Sequence, residues 1–202
     1  MSRGIVIDRA QADAVEFASK EVGRGAIESV RVTPEYVEAT NSHILVRVPS
    51  CGLPVEEYPE VAGAGTEELT EALIKADTLR KAIKALPKRG HLPVLECLHI
   101  GRQNGNFTVT ATDLESPTVL SQKAEESRFP DTEAVIPMAD LPVTIGFSAD
   151  LLGSICKWAT RHGDGGRNPI AFQIRSPEDG ARLTVNMRDG RTAVFVIMPV
   201  RV

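Results

Sequence analysis

Leu69-Thr70-Glu71-Ala72-Leu73-Ile74-Lys75 runs without a break into Ala76-Asp77-Thr78-Leu79-Arg80-Lys81-Ala82-Ile83-Lys84-Ala85-Leu86, a short strand feeding an amphipathic helix. Within the helix, Leu79, Ile83 and Leu86 share one side by three-and-four spacing, and Pro87 ends the run. The opposite side is cationic, with Arg80, Lys84 and Lys88 at four-residue steps and Lys81 and Arg89 beside them. The same entry recurs twice. Ile7 and Ile145 stand where Ile74 does, 67 residues before it and 71 after, with helix onsets at Arg9-Ala10-Gln11 and Ser148-Ala149-Asp150. Downstream, Val37-Glu38-Ala39-Thr40-Asn41 is echoed by Val109-Thr110-Ala111-Thr112-Asp113. The chain therefore reads as about three copies of one β-α-β-β-β unit, an α+β fold with helices on one face of antiparallel sheets.

Periodicity assigns the remaining elements. In the first unit a helix from about Arg9 to Glu21 sets Ala14, Phe17, Ala18 and Glu21-Val22 on its apolar side. Strands follow at Ile27 to Val32, Tyr36 to Thr40 and His43 to Val48. The second unit continues with strands at Val94 to Ile100, Phe107 to Thr112 and Thr118 to Ala124, the first two joined by the turn Gln103-Asn104-Gly105-Asn106. The third has a helix from about Ser148 to Arg161, with Leu151, Leu152, Ile155 and Ala159 inward and Asp150, Ser154, Lys157 and Arg161 outward. Its strands are Ile170 to Arg175, Arg182 to Met187 and Thr192 to Met198. The expected layout is one domain over 1–127, built of repeats 1–50 and 67–127 with a Pro-, Gly- and Glu-rich connector at 51–66. An interdomain connector at 128–140 and a third repeat at 141–202, half a domain, complete it.

The formal charge of −4 argues against a protein that coats nucleic acid with its whole surface, but leaves room for a local basic face. Cys51, Cys97 and Cys156 are odd in number, far apart and outside any CxxC or Cys/His cluster, which indicates a reducing compartment and neither a disulfide framework nor zinc. No signal-peptide core or membrane-length apolar run is present, so a cytoplasmic location is expected. Catalytic chemistry finds little support. His43, His91, His99 and His162 lack metal-ligand spacing and a nucleophile neighbour, and Gly163-Asp164-Gly165-Gly166 follows a helix instead of preceding one. Asp113 and Glu115 stand in a turn between strands, where acids are common. No cofactor is implied.

Three strings resemble the bacterial sliding clamp, the beta subunit of the replicative DNA polymerase. The first is His91-Leu92-Pro93-Val94-Leu95 followed by Val109-Thr110-Ala111-Thr112-Asp113-Leu114-Glu115. Arg128-Phe129-Pro130-Asp131, with Val135-Ile136-Pro137 beyond it, is similar to the connector between clamp domains. Val196-Ile197-Met198-Pro199-Val200-Arg201-Val202 resembles the family's C-terminus. The likeness covers about two thirds of the chain, from Leu69 onward, and Ala39-Thr40-Asn41-Ser42-His43-Ile44-Leu45 joins it more weakly, with Asn41 and Ile44 where clamps carry an acid and a base. Clamp chains hold three domains of two units each, twice what this chain holds.

That resemblance implies a DNA-clamp fold and a non-catalytic DNA-tethering or processivity factor. Its non-specific contact with duplex DNA would fall to Arg80, Lys81, Lys84, Lys88 and Arg89, with Lys157 and Arg161 from the third unit. Peptides from DNA polymerases or repair proteins would dock on Thr40, His43 and Leu45, on Val135 and Pro137, and on Met198, Pro199, Val200 and Arg201. An apolar terminus of this kind is expected to be buried or to form a groove. Two readings stay open beside the clamp: a non-ring binding module that regulates replication proteins without encircling DNA, and an enzyme on an unrelated repeated scaffold. Too few units per chain to surround a duplex imply a homo-oligomer.

Overall fold

The computed structural model of the 202-residue chain describes residues 4–87, 92–125, 127–136, 144–164, 169–188 and 190–201. Lys88, Arg89, His91, Pro137, Gly165-Gly166 and the start of the third repeat at 141–143 lie outside the described residues. The chain forms two compact units, Met1–Thr132 and Glu133–Val202.

Unit 1 opens with β1 (Ile5–Asp8) and α1 (Arg9–Ala12). Asp8 and Gln11 close a reciprocal cap: the Asp8 carboxylate accepts from the Gln11 amide at 2.8 Å and the Gln11 side chain accepts from the Asp8 amide at 3.1 Å. The expected helix to Glu21 is shorter than its apolar pattern suggests. It tightens into a 3-10 stretch at Asp13–Phe17, and the Ser19 amide then bonds the Ile27 carbonyl at 2.8 Å, which draws the backbone out of helical register. Val22, placed on the apolar side by periodicity, is 97% exposed. Next come β2 (Ser29–Val32), β3 (Tyr36–Thr40), β4 (Leu45–Pro49) and β5 (Ala72–Lys75), and then α2 (Ala76–Ala85). Strands β6 (Cys97–Gln103), β7 (Asn106–Ala111) and β8 (Thr118–Lys123) complete the unit.

The pairing of these strands departs from three self-contained repeats. β5, which opens the second repeat, adds to the sheet of the first in the order β4-β3-β2-β5, while β1 adds to the sheet of the second in the order β1-β6-β7-β8. Asp8 stands opposite Cys97, and Lys75 opposite Ser29. These are equivalent positions in the two repeats, so the exchange follows an approximate two-fold. The helical segments run antiparallel beneath it: the Arg9 guanidinium donates to the Pro87 carbonyl at 3.2 Å and that of Arg80 to the Val15 carbonyl at 3.4 Å. Both repeats share one core, in which Ile7, Ile74, Leu79, Leu98 and Ile100 are fully buried or nearly so.

The 51–66 connector packs along the second sheet. Tyr58 is buried and its hydroxyl donates to the Thr110 carbonyl at 2.9 Å, and the Gly65 amide donates to Thr108 Oγ1 at 2.9 Å. Gly65 is required where it is, because a Cβ there would collide with the Arg102 backbone nitrogen. Past β8, Phe129 buries against Ala26 and Leu73, so residues 128–132 belong to unit 1.

Unit 2 holds α3 (Ala149–His162), β9 (Ala171–Gln173), β10 (Ala181–Asn186) and β11 (Thr192–Ile197) in one antiparallel sheet ordered β11-β10-β9. Ala181, Leu183 and Ile197 form a small core with Phe147, Leu152, Ile155, Ile170 and Phe195 packed on it. Among the described residues the segment preceding α3 is bridged to the C-terminal stretch at Gly146 and Val200.

Candidate functional site

α2 is built to present charge. Ala76, Leu79 and Ala82 are buried, which turns Lys81 and Lys84 outward, and both lysines are exposed with no ion pair among the described residues. Asp77 in the first turn and Lys84 in the last also suit the helix dipole. Arg80 differs from them. It pairs with Asp77 at 3.1 Å while reaching the Val15 carbonyl, so much of its charge is spent on joining the two repeats. Lys75 adds an exposed cation at the helix entrance. In unit 2, Lys157 and Arg161 are exposed on α3, but exposed Asp150 lies on the same side of that helix.

The peptide-docking candidates divide between the units. Thr40 and Leu45 face each other across the β3-β4 hairpin, with exposed His43 between them. The buried Thr40 hydroxyl donates to the Ile44 carbonyl at 2.8 Å and accepts from the Ser42 amide at 3.1 Å. Its present task is therefore to shape the hairpin. In unit 2, Val135 is 66% exposed and Met198 62%, with Pro199 half-buried and Val200 and Arg201 exposed. Of the expected burial or groove, burial is not found at these residues. Instead the Met198 thioether lies over Gly180, where an added Cβ would stand 3.1 Å from the sulfur.

The Thr-Asn and Thr-Asp strings prove to be one turn used twice. Asn41 Oδ1 accepts from the His43 and Ile44 amides at 3.0 and 3.1 Å, and Asp113 Oδ1 accepts from those of Glu115 and Ser116 at 3.0 and 2.6 Å. The preceding threonine bonds the third residue in both, and that residue, Ser42 or Leu114, has φ of 75°. Asn41 thus replaces the acid without losing the turn, since an amide oxygen accepts as a carboxylate does. The bonds hold the Asp113 carboxyl below its ordinary range.

Three features are not visible in the sequence. Glu38 is fully buried between Arg47 at 2.5 Å and Arg31 at 3.4 Å, and Tyr36 lies under the Arg47 guanidinium at 4.3 Å. Cys51 and Cys97, 46 positions apart, each donate their thiol to a backbone carbonyl, of Val6 at 3.7 Å and Pro93 at 3.2 Å, and burial followed by the neighbouring Cys51 pushes the Cys97 thiol up to about 12. A cavity of about 620 Å³ opens beside the connector, lined by Tyr58, Pro59, Val61, Gly65 and His99. Among the described residues no group of three or more His, Cys, Asp or Glu is placed to hold a metal, and no helix is long and apolar enough to cross a membrane.

Solved bacterial clamps share this fold. The DNA polymerase sliding clamp of Bacillus subtilis matches with a TM-score of 0.67 at 17% identity, over 98% of this chain and 49% of its own. A putative DNA polymerase III beta subunit from Eubacterium rectale gives 0.68 at 13%, over 98% and 51%. The Pseudomonas aeruginosa clamp solved with griselimycin bound gives 0.67 at 13%, over 96% and 49%. The chain therefore spans about half the length of the clamps it matches, and at such identities the likeness is one of fold. No protein-family model and no curated protein matches it.

Proposed function

We propose that the chain is a sliding-clamp-like DNA-tethering or processivity factor and not a catalyst. The supporting observation is the pair of exposed lysines, Lys81 and Lys84, on a helix whose other side is locked into the shared core of a clamp fold. Such lysines meet phosphates without reading bases, which is what a surface that slides requires. Lys88 and Arg89 extend the cationic stretch in sequence, and Lys157 and Arg161 contribute less because Asp150 offsets them. Partner peptides of polymerases or repair proteins dock on the exposed Met198 to Arg201 stretch and Val135 of unit 2, and the β3-β4 hairpin of unit 1, with Thr40, His43 and Leu45, is a separate candidate surface. The protein works in the cytoplasm as an assembly of several copies.

Fluorescence anisotropy on two unrelated duplexes at rising salt tests the DNA reading. Equal affinities that fall together with salt support it, and a marked preference for one sequence rejects it. A second reading, a non-ring module that docks replication or repair proteins, is favoured by the acidic net charge and by the exposed apolar C-terminal stretch. Peptide binding without duplex binding would select it.

A further inference from the structure

Among the described residues the third repeat lacks the cover that the first two give each other. In unit 1, the first strand after each helix receives the opening strand of the other repeat, and both receiving strands are buried: Ser29, Val30 and Val32 in β2, and Cys97 to Gly101 in β6. β9 holds the same place in its sheet. It pairs with β10 on one side, and all three of its residues are exposed. Phe172 lies opposite buried Leu183, hence on the face that α3 covers, yet it is 47% exposed. Leu151 on α3 is 53% exposed and Ile174 42%. An apolar helix stripe and a strand edge left open together are what a second repeat would close.

The charges on α3 say how it would close. Asp150, Ser154, Lys157 and Arg161 line the side of α3 turned away from its own sheet, next to exposed Leu151, and all four are exposed. When two such helices lie side by side and antiparallel about a two-fold near Ile155, these outward sides run next to each other. Asp150 then faces Arg161 of the other helix, whereas a parallel pair would set Asp150 against its own copy. Antiparallel is also the arrangement of the helical segments in unit 1.

We propose that a second copy of this chain completes the third repeat: α3 pairs antiparallel with its counterpart, and the segment around Gly146 of each copy adds to the β9 edge of the other. The pairing needs only the clamp-type repeat and holds whether or not α2 meets DNA. It also gives Arg161 an acid to answer, which keeps its share of DNA contact below that of α2.

Sedimentation velocity at tens of micromolar tests it. The parent chain should run at twice its 21.8 kDa, and Leu151→Asp should run as a monomer with unchanged far-UV circular dichroism. Arg161→Asp should weaken the dimer at least tenfold, and the double reversal Asp150→Arg with Arg161→Asp should restore it, a rescue that misfolding would not produce. A monomeric parent overturns the proposal. So does a dimer that survives both Leu151→Asp and Arg161→Asp.

Discussion

The hydroxyl of Thr132 donates to the buried carboxylate of Glu38 at 2.9 Å, across 94 positions of sequence. The same hydroxyl accepts from Arg47 at 3.1 Å, so the last residue of unit 1 is tied into the ion pair at the centre of its first sheet. Glu38 has no water to fall back on, whereas Arg31 and Arg47 keep roughly a quarter of their side chains exposed. Glu38→Gln should therefore cost about 2–3 kcal/mol in urea unfolding, below the cost of a fully buried pair because the arginines can rehydrate. Thr132→Val should cost about 1 kcal/mol. Two losses of equal size would mean that the charge contributes nothing beyond the hydrogen bond.

The two copies of the hairpin turn should part company in acid. The Asp113 carboxyl is held below its ordinary 3.8, so its charged form stabilises the fold above that value and the contribution is lost as pH falls through the lower folded value. Asn41 carries no such charge. Amide exchange at Glu115 and Ser116 should lose protection below pH 3.8 while that at His43 and Ile44 does not, once intrinsic rates are removed. Parallel behaviour of the two turns would contradict this account.

Leu114 holds φ of 75°, where a side chain is strained and glycine is not. Leu114→Gly should raise stability by up to about 1 kcal/mol in thermal unfolding, because the side chain is half exposed and little packing is given up. A clear fall in stability would show that its packing outweighs the strain.

At the other end of the scale, the Cys97 thiol is pushed up to about 12 by burial, then by Cys51. A raised value in an acid favours the neutral form in the folded state. Stability should be whole below the ordinary thiol value of 9.0 and fall as pH rises from there toward 12. The Tyr58 phenol, also raised by burial, adds to the fall above 10.0. At pH 8 iodoacetamide should label exposed Cys156 first and leave Cys97 untouched until the chain unfolds, as read by peptide mass.

In the C-terminal stretch, Met198→Ala should weaken binding of a clamp-docking peptide by about 2 kcal/mol if Met198 is an anchor. The folded core should not suffer, since the residue is 62% exposed. Unchanged affinity in a folded variant would remove Met198 from the docking surface.

Sequence pattern locates the strand-to-helix entries at Ile7 and Ile74 because they depend on neighbouring residues alone, and α2 ends within one residue of where Leu86 and Pro87 indicate. It does not reveal that each opening strand leaves its own repeat, since Asp8 and Cys97 meet through the tertiary fold and carry no local signal. The first helix falls short of its pattern for a related reason: its apolar spacing continues, but the Ser19 amide bonds Ile27 instead of the next turn. Glu38 reads as any acid in an alternating strand, and only the approach of Arg31, Arg47 and Thr132 makes it a buried centre. Lys81 and Lys84 are legible as outward cations because helix period alone fixes their side. That Arg80 reaches into the first repeat is not.

The most direct test of the proposed DNA face is the salt dependence of duplex binding for the parent and for Lys81→Ala with Lys84→Ala. Each phosphate left without its lysine should reduce the slope of log affinity against log salt by about 0.9, so the double variant should drop by roughly two units while circular dichroism stays the same. The drop should be equal on unrelated sequences. An unchanged slope with intact duplex affinity would place the DNA face elsewhere and contradict the account.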